Sequence, residues 1–179
     1  MTQTETLTSY LTFRLGDELF AANVSKVLEI LEIPKITKVP RSPSYMRGVI
    51  NLRGSVLPII DTREKFGLPH TEDTISTCII VMSVSMEGQD ITIGALSDAV
   101  QEVMEIEENQ VHPAPSIGSK YKSEFIDGMV KRDDQFIMLL NLDKVFSSNE
   151  ATILQEIIQA SENVEIKTLT KSKISLTEK

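Results

Sequence analysis

The chain has 179 residues, 41% of them hydrophobic and 25% charged, with a formal net charge of -8. That balance excludes a surface that tracks nucleic-acid phosphates, and the lack of tryptophan with only 5% aromatic residues excludes base-stacking platforms. No apolar run reaches the roughly 18 residues a membrane helix needs, Met1 to Thr12 lacks the regions of a signal peptide, and the single Cys78 has no internal partner, so a cytoplasmic protein without membrane insertion is expected.

Residues 1–8 are polar and read as a flexible N-terminus. Ser9 to Leu15 alternates, Gly16-Asp17 turns it, and Glu18 to Ala22 returns, which is the pattern of a hairpin. Asn23 can cap a short helical turn that runs on as a strand through V-L-E-I-L-E-I. Pro34, Pro40 and Pro43 mark the loop that follows. Met46 to Asp61 then gives two short strands, V-I-N-L-R and S-V-L-P-I-I, hinged at Gly54. Alternation puts Val49, Asn51 and Arg53 on one face of the first strand. Pro58, which has no N–H to give a ladder, makes the second an edge or bulged strand.

Asp61 caps a short helix, T-R-E-K-F, and residues 70–75 form a polar connector. A strand over Ser76 to Ser83, a turn at Gly88-Gln89 and a return over Ile91 to Leu96 come next. Asp133-Asp134 is a turn between F-I-D-G-M-V and Q-F-I-M-L-L. Ser148 caps a C-terminal helix to residue 161 with Ile153, Leu154, Ile157 and Ile158 on one face, and residues 162–179 read as a mobile tail.

The two halves of the chain match. Asn23 to Ile30 lies over Ala99 to Ile106, keeping both valines, the glutamate and the isoleucine. Gly48 lies over Gly128, and Ile59 to Phe66 over Leu139 to Phe146. Two copies are too few for a solenoid, so an internal duplication into two small β-barrels with a groove between them is expected, and such a groove is a common place for binding.

Catalytic and metal-binding arrangements were sought and none fits. His70 and His112 lie in loops beside prolines without ligand spacing. Gly118-Ser119-Lys120 lacks the upstream glycine of a phosphate loop. Cys78, in T-C-I-I-V-M, reads more simply as a small buried hydrophobe than as a reactive thiol. Binding without a cofactor, rather than catalysis, is the expected trade.

F-R-L-G-D-E-L-F, V-S-K-V-L-E-I, M-R-G-V-I-N-L-R-G-S-V-L-P-I-I-D-T-R-E-K-F-G, the Asp98 to Val103 stretch and V-H-P-A-P together resemble the CheW-like family of bacterial chemotaxis coupling proteins, over about residues 8–147. The resemblance implies a mainly β fold of two five-stranded SH3-like barrels, with short helices and the C-terminal helix. The first barrel is expected over 9–69 and the second over 76–147, with chain pairing between them allowed. It also implies a non-enzymatic scaffold adaptor that joins the cytoplasmic tips of chemoreceptors to the chemotaxis histidine kinase. Carried onto this sequence, the kinase-binding residues are Val27, Glu29 and Gly48, and the receptor-binding residues are Arg53, Cys78, Val100 and Val103. Plainer roles stand beside these: Val27 as core, Gly48 as a turn residue, and Arg53 as one half of an ion pair that fixes the barrels. An adaptor of another chemosensory system, such as surface motility, and a small-ligand binding protein using the groove are the alternative readings.

Overall fold

The computed structural model describes residues 6–114 and 125–177, with side chains given as far as Asn163. In chain order the strands are β1 (Leu7–Leu15), β2 (Glu18–Asn23), β3 (Val27–Glu32), β4 (Met46–Leu52), β5 (Ser55–Ile60), β6 (Cys78–Met86), β7 (Gln89–Ser97), β8 (Ala99–Glu107), β9 (Ile126–Arg132) and β10 (Gln135–Leu140). Helix α1 spans Thr62–Lys65 and α2 spans Ser148–Thr177. The short helical turn read before β3 is present at Val24–Lys26, where the Asn23 side chain accepts from the Ser25 N–H.

The strands form two five-stranded sheets, ordered β8-β1-β2-β10-β9 and β3-β6-β7-β5-β4. Each sheet holds the leading hairpin of one half and the last three strands of the other, so the exchange is reciprocal. A division of the chain at residues 70–75 therefore does not coincide with the division into sheets. The cause is local. Strand β7 ends at Ser97 and β8 begins at Ala99, so one residue, Asp98, carries the chain across. Having crossed, β8 pairs antiparallel with β1, while β10 pairs parallel with β2.

The duplication is visible in matched devices. At Gly48 a Cβ would meet Ile36 Cγ2 at 2.7 Å, and at Gly128 it would meet the His112 carbonyl oxygen at 2.8 Å. Over each glycine a crossing segment forms a backbone bridge, Thr37 to Val49 and His112 to Met129. Asp61 and Asn141 each cap the turn after their hairpin, accepting from Arg63 and Asp143 N–H groups respectively. Gly48 is thus a close-approach glycine rather than a turn residue.

Pro58 lies in an interior strand, not at an edge, because β5 sits between β4 and β7. Val49, opposite it, spends its N–H and C=O on Thr37, at 2.8 and 2.9 Å. The missing Pro58 donor therefore faces β7, and the parallel ladder there starts one residue later, at Ile59 and Ile60.

Three apolar clusters follow from this layout. Ile50, Leu57, Ile59, Ile79, Val81 and Leu96 fill one barrel, and Ala21, Ile106, Val130, Ile137 and Leu139 fill the other. The largest cluster lies between them and takes residues from both sheets and from α2. A column of rings, Phe13, Phe20, Phe66 and Phe125, runs through it with centroids 6.0, 5.5 and 5.0 Å apart, and such pairs contribute about 0.5–1.5 kcal/mol each beyond their burial.

Helix α2 docks through Ala151, Leu154, Ile157 and Ile158, while Ile153, read on the same face, is 38% exposed. Its cap lies one residue earlier than expected: Ser147 Oγ accepts from the Glu150 N–H at 3.3 Å. The helix also continues to Thr177 rather than ending at residue 161, a length of about 45 Å. Lys65 on α1 meets Glu150 on α2 at 2.6 Å and lies over the Tyr45 and Phe146 rings at 4.9 and 5.4 Å.

Arg63 is the most consequential polar group. It is 1% exposed, pairs with Asp61 and Asp73 at 3.4 Å each, and donates to Asp98 Oδ1 at 3.1 Å and the Thr71 carbonyl at 2.7 Å. Its Nη1 also reaches the Thr71 hydroxyl. The other Asp98 oxygen accepts from the Gly16 N–H at 2.6 Å, which holds the β1–β2 turn. Removing one partner of a buried pair leaves charge uncompensated, so Arg63→Ala is expected to lower unfolding free energy by about 3–5 kcal/mol in urea titration. A loss under about 1 kcal/mol would show the network to be incidental.

Candidate functional site

The residues singled out in the sequence lie on the sheet-end strands β3, β4 and β8, on the β4–β5 turn and at the start of β6. Arg53 is not held within a strand. With φ of 53° it forms, with Gly54 at 85°, a two-residue turn between the paired Leu52 and Ser55, the geometry in which both central residues need positive φ. Asn51 Oδ1 accepts from the Gly54 N–H at 2.9 Å and fixes that turn.

From the turn, Arg53 Nη2 reaches Glu29 Oε2 at 2.8 Å. The hydrogen bond first, and the carboxylate charge second, raise the guanidinium pKa further. The Arg53 side chain is 75% exposed and that of Glu29 26%, and among the described residues Glu29 Oε1 is buried without a hydrogen-bond partner. The pair links β3 to the β4–β5 turn, the two ends of one sheet. Arg132 and Glu102, 2.7 Å apart, link β9 to β8 at the two ends of the other.

Bulges decide which side chains share a side. Val27 and Glu29 are two apart and would share a face on a regular strand. The β3–β6 register shifts between them, so Val27 stands opposite Met82 and Glu29 opposite Val81, residues that face opposite ways. Val27 accordingly packs against the core between the barrels, whereas Glu29 turns to Arg53. On β8 the reverse happens. Val100 and Val103 are three apart and would face opposite ways, but they stand opposite Phe13 and Leu11, which share a face. The bulge between them gathers both on the inter-barrel side. Val100 packs against the core there and Val103 is 58% exposed.

Cys78 opens β6 on the same side as Ile80, within reach of the Val100 backbone. Burial raises its thiol pKa, and a hydrogen bond with the Val100 backbone only partly offsets this. The seven residues therefore regroup: Glu29 with Arg53 at the rim of one barrel, Cys78 beside Val100 with Val103 on the same side of β8, Val27 in the packing between the barrels, and Gly48 under the Ile36–Thr37 crossing. The sequence reading missed Leu28 and Ile30, which are 57% and 47% exposed on β3. Their apolar character spoke for burial, and only their position on a sheet-end strand shows otherwise.

Between the barrels the packing leaves an apolar void of about 20 Å³, room for about one water and not for a metabolite. A wider depression of about 800 Å³ lies among α1, residues 142–148 and the start of α2, bordered by Lys65, Phe146 and Glu150. Beside that joint, burial and then the Glu150 charge push the Tyr45 hydroxyl up to about 12. His112 is a backbone bridge to Met129 at 2.8 Å rather than only a solvated loop residue. Gly118-Ser119-Lys120 lies outside the described residues. Among the described residues no group of acidic, histidine or cysteine side chains could hold a metal, and no helix is long and apolar enough to cross a membrane.

The CheW-like domain model matches residues 9–150. The chain belongs to the CheW-like family. It is 36% identical over 140 residues to the chemotaxis protein CheW of Rhizobium meliloti (strain 1021), covering 78% of this chain and 88% of that protein. With the CheW of Klebsiella aerogenes the identity is 30% over 154 residues, 84% of this chain and 89% of the relative. The crystal structure of the scaffolding protein TtCheW from Thermoanaerobacter tengcongensis superposes with a TM-score of 0.72 at 31% identity, covering 84% and 94% of the two chains. A CheW-like chain of this architecture is a mainly β chemotaxis adaptor of two SH3-like barrels and a C-terminal helix, a scaffold and not an enzyme.

A half-buried thiol with a raised pKa is a poor nucleophile. Native protein at pH 8 is expected to react with an aromatic disulfide reagent about tenfold more slowly than urea-unfolded protein. Equal rates would mean that Cys78 is open to solvent.

Proposed function

We propose that the chain works in the cytoplasm as the coupling piece between chemoreceptor tips and the chemotaxis histidine kinase, binding neither nucleic acid nor membrane directly. The kinase-facing surface is assigned to β3 and its surroundings, with Glu29 at its centre, Val27 supporting the strand from below and Gly48 setting how closely residues 36–37 approach. The receptor-facing surface is assigned to Arg53, Cys78, Val100 and Val103.

The observation that carries this reading is the Arg53–Glu29 pair. It joins the residue assigned to one partner to the residue assigned to the other, at an exposed site where an ion pair adds little to folding. Leu28 and Ile30 add apolar area to a strand at the end of its sheet, and interfaces of ordinary size draw most of their energy from a few such anchors in about 1,600 Å². Arginine's fork also suits a contact that must be shared between a carboxylate within the chain and a group outside it.

Titration calorimetry of Arg53→Ala against a receptor-tip fragment and against the kinase regulatory domain tests the assignment. Receptor affinity is expected to fall about tenfold or more, as for an interface anchor, with kinase affinity and melting temperature unchanged. Wild-type receptor affinity would refute the role of Arg53. A melting temperature that falls in step with binding would make it a structural brace.

A further inference from the structure

We propose that Thr12 is the positioning residue of the receptor-facing patch, locking the β8 bulge that places Val100 and Val103 on one side of the strand. The inference rests on the receptor assignment above. Its evidence is the ladder between β1 and β8. Leu11 stands opposite Val103 and Phe13 opposite Val100, so Gln101 and Glu102 together face the single residue Thr12. An extra residue in a ladder leaves backbone groups unpaired. Here one hydroxyl serves both: Thr12 Oγ1 donates to the Glu102 carbonyl at 2.8 Å and accepts from the Glu102 N–H at 3.1 Å. Thr12 is 1% exposed, so the hydroxyl is held in place by the packing around it.

The Glu102 side chain is held as well, by Arg132 at 2.7 Å from β9. Glu102 is thereby fixed through its backbone from one neighbour and through its carboxylate from across the seam, leaving Val103, the next residue, 58% exposed in a defined direction. Without the hydroxyl, the Glu102 carbonyl and N–H, at a part-buried position, lose their partner within the chain. The relief open to the strand is to move or remove the bulge, and a one-residue slip turns the following side chains to the opposite face. Val103 would then leave the side of Val100. Thr12 acts only through these valines, and the kinase-facing strand β3 lies in the other sheet.

The test uses the full chain with Thr12→Val, Thr12→Ser and Thr12→Ala, alongside Val103→Asp, measuring affinity for a receptor-tip fragment, affinity for the kinase regulatory domain and melting temperature. Thr12→Val keeps the shape and loses both hydrogen bonds. It is expected to lower receptor affinity about tenfold while leaving kinase affinity at the wild-type value, and Thr12→Ser, which keeps the hydroxyl, to restore receptor binding. Thr12→Ala is read in the same way, so the outcome does not depend on one variant folding. Equal losses in Val and Ser, or parallel losses for both partners, would overturn the proposal. Wild-type receptor binding by Thr12→Val with binding lost in Val103→Asp would overturn the role of Thr12 alone. Wild-type binding by Val103→Asp would overturn the receptor assignment and this inference together.

Discussion

A buried guanidinium is the constraint on which the rest of this structure depends. Taking a cation out of water costs several kcal/mol unless charge and hydrogen bonds meet it on every side, and Arg63 is met by Asp61, Asp73, Asp98 and Thr71. These come from the cap of α1, the connector between the halves and the single residue between β7 and β8. Satisfying Arg63 therefore fixes the point where the chain passes from one sheet to the other. A lysine could not reproduce this, since its point charge lacks the planar fork that reaches several acceptors at once.

Once the crossing is fixed, the reciprocal exchange of strands follows, and with it the functional layout. Each barrel is built from both halves of the chain, so neither can open without disturbing the other. The strands left at the sheet ends include β3 and β8, equivalent positions in the duplication. Each is tied to the opposite end of its sheet by an arginine–glutamate pair on the surface. Two similar sheet-end strands on one rigid body suit a protein whose task is to hold partners in fixed relation rather than to transform a substrate.

The elements were largely legible in the sequence because each rests on local chemistry: alternation for the hairpins, glycine and aspartate for the turns, Asn23 and Asp61 for the caps. The duplication was legible too, since Gly48 and Gly128 must both admit a crossing backbone. Strand pairing was not, because residue identity in β8 does not reveal whether its neighbour is β1 or β6. Arg53 was singled out as a receptor contact, with an ion pair that fixes the barrels as its plainer role; it does pair with Glu29, but the pass from sheet to sheet is held by Arg63, seen in the sequence only as part of a short polar helix. Which of the candidate site residues share a side was not legible from spacing. Spacing alone pairs Val27 with Glu29 and separates Val100 from Val103, and the bulges at Leu28 and at Gln101–Glu102 reverse both relations.

The claim that matters most is that this rigid pair of barrels holds two partners at once. It is tested most directly by immobilising receptor-tip fragments, adding the chain, and then measuring how much kinase regulatory domain is retained. The account requires kinase to be captured in proportion to the bound chain, with the chain staying on the receptor. Kinase that displaces the chain from the receptor, or that is retained equally in its absence, would contradict it.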